Sequence, residues 1–171
     1  MNCFDQPFHL TPSADINGTH KIGEIHIRFL DLVTMFGMPE ESDGYKVSGQ
    51  WVFTSDSGKV FTIYDWKRTH LYDSSLPSVE DFREYPEAQS FSVGGHEMSG
   101  IGEFVRWVTN KAHNLTAFQR RVAYLENFEG MTTSDAQGVA EVEIREFAEK
   151  YPTLVTASLG IVTTHARTEP V

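Results

Sequence analysis

The segment Tyr64-Asp65-Trp66-Lys67-Arg68 gathers two rings, a carboxylate and two cations. Aromatic faces stack on planar groups, and the cations can meet phosphate, so this run has the chemistry of a ligand-binding surface. The same residues also suit an ordinary strand end, with Tyr64 and Trp66 packed on a sheet and Lys67 and Arg68 in solvent. His70 follows shortly after. His96 stands beside Gly94-Gly95, glycines that let a chain turn sharply or approach another group closely. The expected ligand-binding set is therefore Tyr64, Trp66, Lys67, Arg68, His70 and His96.

Metal and catalytic chemistry are less well supported. There are seven histidines, and His20, His26, His70, His96, His113 and His165 could converge with Asp65, Asp73 or Glu97. No histidine pair has the i, i+4 helical spacing of a zincin and there is no CxxC element, so neither a metal site nor a cofactor is expected. His96 with Asp65 or Asp73 could supply the acid and base of a small hydrolase or nuclease-like enzyme. Ser99 lacks the Gly-x-Ser-x-Gly frame of a nucleophile elbow. Gly95, Gly100 and Gly102 lack the lysine and hydroxyl of a phosphate loop. No catalytic residue is assigned, and a non-enzymatic role leads.

The elements that must position these side chains follow from periodicity. Val47, Gly49, Trp51 and Phe53 alternate with Ser48, Gln50, Val52 and Thr54, and Val60, Thr62, Tyr64 and Trp66 with Phe61, Ile63 and Asp65. Both arms are rich in β-branched and aromatic residues, and Asp56-Ser57-Gly58 supplies turn chemistry. This predicts a central hairpin from Lys46 to Lys67. A strand is predicted from Lys21 to about Ile27. Phe29, Leu32, Val33 and Phe36 share one helical face, stopped by Gly37 and Met38-Pro39. Ser78 is a candidate cap for a short helix to about Glu84, and Ser90 to Val93 a further strand, with Gly94-Gly95 as a loop. Two helices follow, over Ile101 to Val108 and Leu115 to Leu125, expected to form a hairpin across Asn110 to Asn114. A third starts at Ser134 in a capping-box pattern and stops at Tyr151-Pro152. Leu154 to Thr164 reads as a final strand or a tail, and residues 1–20 as an irregular arm over the domain. The fold class is α+β: an antiparallel sheet round the hairpin with a short packing helix, then a helical C-terminal region. One domain spans 1–171, with a sheet-forming core over 17–97 and a mainly helical extension over 98–171.

Acidic residues outnumber basic ones by 24 to 14, a net charge of -10, which disfavours nonspecific binding to polyphosphate. A mimic of nucleic acid needs dense carboxylates. Here Glu40-Glu41-Ser42-Asp43 and the run from Glu141 to Glu149 read as solvated faces. The single cysteine, Cys3, has no intrachain partner, and neither a basic n-region nor an apolar run of about 20 residues is present. A cytosolic protein without membrane association is expected, with enough apolar helical surface for a homo-oligomer.

The pattern Gly18-Thr19, Leu32-Val33 with Phe36-Gly37-Met38-Pro39, Tyr45-Lys46-Val47, Trp51-Val52-Phe53, Asp56-Ser57-Gly58, Thr62-Ile63-Tyr64-Asp65-Trp66-Lys67 and Val93-Gly94-Gly95 resembles a family of small tailed-bacteriophage accessory proteins. The resemblance covers residues 17–97. It implies a viral product made in the host cytoplasm. By analogy with such proteins, the expected function is inhibition of bacterial antiviral defence, by binding a nucleotide-like signal or a host defence protein. A small His/Asp hydrolase and an acidic DNA-mimic interaction protein are the alternatives.

Overall fold

The five strands are β1 (Phe8–Leu10), β2 (His20–Ile27), β3 (Gln50–Ser55), β4 (Val60–Tyr64) and β5 (Gln89–Gly95), and segments rich in β-branched and aromatic residues build the central pair, β3 and β4. Helical spacing builds α1 (Phe29–Phe36), α2 (Val79–Glu84), α3 (Ile101–His113), α4 (Ala117–Asn127) and α5 (Thr133–Lys150). This computed structural model describes residues 7–41 and 43–151. The strands form one antiparallel sheet in the order β1-β3-β4-β5-β2, and the fold is α+β. The chain divides into two compact units between Leu115 and Thr116.

In the first unit, register aligns the apolar positions on one face. Trp51 lies opposite Ile63, Phe53 opposite Phe61, Ile63 opposite Val93, and Phe91 opposite Ile25. All are buried. Phe104 of α3 stacks on Phe61 at 4.8 Å between centroids and meets the rings of Phe8 and Phe53 at 5.2 Å. Phe29, Leu32 and Val33 of α1 add to this core, each burial stabilising by about 1.5–3 kcal/mol before entropy.

Several elements differ from the expectation. The N-terminal arm contains β1, whose Phe8 enters the core and pairs opposite Ser55. Since β1 and β2 are the two edges, residues 11–19 must cross the sheet. Thr11 Oγ1 meets Thr54 Oγ1 at 2.8 Å, on the face turned away from Phe53, so the crossing begins there. In β2 a bulge between Lys21 and Gly23 resets the alternation, and Ile22 is buried along with Ile25 and Ile27.

Gly94-Gly95 is not a loop: β5 runs through both residues. The glycines allow close approach, because a β-carbon at Gly94 would overlap Thr62 Oγ1 and one at Gly95 would lie 2.7 Å from Ile22 Cδ1. The Asp56-Ser57-Gly58 turn is as expected, with Gly58 at φ 81° and the Ser55 and Lys59 backbones paired across it. Ser78 caps α2 by accepting the Asp81 N–H.

α3 runs on to His113 and belongs to the sheet unit. In the second unit α4 pairs with α5 through Leu125, Ala136 and Ala140, flanked by Phe118, Val122 and Val139. Thr116 and Gln119 form a capping box on α4. The cap of α5 is Thr132, which accepts the Asp135 N–H, so the helix starts at Thr133 rather than Ser134. Arg121 bridges to Glu143 at 2.7 Å. The segment Leu154 to Thr164 lies outside the described residues. No described helix is long and apolar enough to cross a membrane.

Candidate functional site

The β3–β4 ladder runs only from Thr54–Val60 to Gln50–Tyr64, short of the expected Lys46 to Lys67. Beyond it the strand ends are joined by a side chain. Asp65, 2% exposed, accepts the Ser48 and Gly49 N–H groups at 2.9 and 3.2 Å and the Ser48 hydroxyl at 2.6 Å. Burial pushes its carboxyl above the ordinary aspartate value, and these hydrogen bonds pull the other way. The Lys67 N–H then donates to the Lys46 carbonyl at 2.7 Å, closing the loop.

A second carboxylate shapes the opposite segment. Asp43 Oδ1 accepts the N–H groups of Tyr45, Lys46 and Val47 at 2.9, 2.8 and 3.0 Å. Partial burial raises its carboxyl, but the three donors together outweigh that and hold it below the ordinary value. Asp43 thus fixes the loop that carries Tyr45 and Lys46.

The result is an exposed aromatic and lysine cluster. Tyr45, Trp66 and Tyr72 are 53%, 42% and 38% exposed. The Lys67 ammonium lies 4.4 Å from the Tyr72 ring centroid and 5.6 Å from that of Trp66, and donates to the Tyr72 hydroxyl at 3.1 Å. The Lys46 ammonium lies 5.4 Å from Tyr45 and 5.6 Å from Trp66. Lys67 has φ 56°, and among the described residues it alone other than glycine lies in the left-handed region, a conformation disfavoured for a residue bearing a β-carbon.

The six expected residues do not form one site. Tyr64 is half-buried and meets Trp66 edge-on at 6.2 Å. Burial raises its phenol, while the Lys21 charge and the Ser92 hydroxyl act in the opposite sense. Arg68 leaves the cluster and lines a cleft with His26 and Ser90. His70 is exposed, its N–H held by the Pro77 carbonyl at 2.8 Å. His96 is at the other end of the sheet: it follows Gly95, opposite Phe61, whereas Tyr64 is opposite Ser92. Three strand residues separate those positions, about 10 Å.

His96 instead lines a cavity of about 220 Å³ with Lys59, Glu97 and Ser99. There the Lys59 ammonium donates to Ser99 Oγ at 2.6 Å and pairs with Glu97 at 2.9 Å. Asp65 is committed to Ser48 and Gly49, and Asp73 to the Ser75 N–H and hydroxyl. The structure therefore brings His96 together with neither carboxylate. Among the described residues no three His, Cys, Asp or Glu side chains gather into a metal-binding group.

Sequence reasoning missed Tyr45, Lys46 and Tyr72. The available signal was Asp43-Gly44, an aspartate and glycine pair of the kind that closes a local turn on its own backbone. No family model matches the chain, and no curated protein is significantly similar to it.

Proposed function

We propose that the protein is a non-enzymatic bacteriophage inhibitor of bacterial antiviral defence, acting by docking the Tyr45, Lys46, Trp66, Lys67 and Tyr72 surface onto an acidic patch of a host defence protein. The observation that carries this reading is Lys67, held in a disfavoured backbone conformation with its ammonium against two exposed rings. Strained residues persist where the surrounding structure holds them and cluster at functional sites. Exposed Tyr and Trp are the usual anchors of protein interfaces. A lysine already held by rings has less rotamer freedom to lose on binding. The viral context comes from the sequence resemblance over residues 17–97.

The test is phage growth on a defence-bearing strain expressing the chain. Wild type should abolish protection, whereas Trp66→Ala and the Lys46→Glu/Lys67→Glu pair should restore it, with circular-dichroism melting confirming that both variants are folded at the assay temperature. Undiminished protection by the host, or equal inhibition by wild type and both variants, refutes the proposal. Release of an intact nucleotide from heat-denatured wild type, but not from the variants, would replace the protein partner with a nucleotide-like signal.

A further inference from the structure

The residues opposite the open end of β5 form a second surface that the aromatic and lysine cluster does not use. A cleft of about 400 Å³ opens between α2 and the β5–β2 pair, within the range that takes small ligands. Arg68 and His26 lie on its wall with Ser90, which is opposite His26 in the ladder. The Arg68 charge is also felt at Glu24, whose carboxyl is held low chiefly by its hydrogen bond from Lys21. Tyr85, 49% exposed, ends α2 and contributes a ring. Glu87, exposed in the connection between α2 and β5, lines the same cleft.

The cleft thus offers a cation, a ring and a carboxylate among the residues that line it. Arg offers a planar fork to phosphate, a tyrosine face stacks on a base, and a carboxylate accepts adjacent ring and exocyclic N–H groups such as guanine presents. Asp81, the other acid in the cleft, already accepts the Ser78 hydroxyl at 2.8 Å. Gln89 likewise donates to the Phe82 carbonyl at 2.8 Å, which leaves its carbonyl oxygen for a ligand.

We infer that this cleft is a guanine mononucleotide site, with Arg68 and His26 on the phosphate, Tyr85 against the base and Glu87 on the base edge. It goes beyond the docking surface and is independent of it. The test is calorimetric titration of the full chain with GMP, AMP, guanosine and inorganic phosphate. GMP should bind one to one and more tightly than the other three. Arg68→Ala and Tyr85→Ala should each weaken it about tenfold or more, as expected for a lost charged hydrogen bond or base stack. Glu87→Gln should erase the preference for GMP over AMP. Trp66→Ala should leave GMP binding unchanged, which separates this site from the docking surface. All four side chains are exposed, and melting curves check that the variants fold. No saturable GMP binding at millimolar concentration, equal binding of phosphate alone, or affinities unaltered in Arg68→Ala and Tyr85→Ala would overturn it.

Discussion

Lys67 combines a cost and a use in one residue. Its positive φ places a β-carbon against the neighbouring backbone, at about 1–2 kcal/mol for an L-residue. Its ammonium gains ring contacts worth about 0.5–1 kcal/mol at an exposed site. Lys67→Ala and Lys67→Gly both delete the ammonium, but only glycine relieves the backbone. Urea unfolding should therefore find the glycine variant more stable than the alanine variant by about 1 kcal/mol. Equal midpoints would mean that the backbone there is unstrained. The same turn sends Trp66 to the cluster and Arg68 to the cleft, so a run that reads as one site in sequence serves two surfaces.

At the scale of elements, two aspartates act in place of ladder hydrogen bonds around the central hairpin, and pH should report them with opposite signs. Asp65 has a raised pKa in the fold, so as pH climbs past about 3.8 the unfolded chain loses that proton first. Its contribution to stability is greatest in acid and falls until the folded-state pKa is passed. Asp43 has a lowered pKa, so its contribution is complete above about 3.8 and is lost as pH falls. Between pH 3 and 6, Asp43→Asn should flatten the rise of the urea midpoint with pH, and Asp65→Asn should steepen it. The reverse pattern would mean that hydrogen bonding outweighs burial at Asp65 and that burial outweighs hydrogen bonding at Asp43. These roles also mark the limit of what the sequence discloses. Local signals were legible: the 29, 32, 33 and 36 spacing of α1, the Ser78 cap, and the Asp56 to Gly58 turn. Features set by distant partners were not. β1 has only three residues and exists because β3 pairs with it. Gly94-Gly95 reads as a turn until Thr62 and Ile22 are known to lie against it. Tyr45 and Tyr72, 5.9 Å apart, meet only because Asp43 and Lys67 bend the chain on either side.

For the whole molecule, charge and local surface oppose each other. The chain carries -10 overall, yet the cluster sets two ammonium groups among its exposed rings. An acidic partner is therefore repelled at long range and attracted at contact. The Debye length shortens from about 30 Å at 0.01 M salt to about 8 Å at 0.15 M, which screens the repulsion before the contact pairs. The association rate with that partner should rise over this range, measured by stopped flow. A steady fall would place the basic surface in control of encounter instead. The crossing of residues 11–19 bears on how such a molecule assembles. It ties together the two outermost strands, β1 and β2, which never pair with each other. β2 must wait for β5, and four elements lie between them in the chain. The N-terminal portion is thus synthesised early but is among the last parts to find its place, so closure of the sheet is a late, long-range event that slows folding.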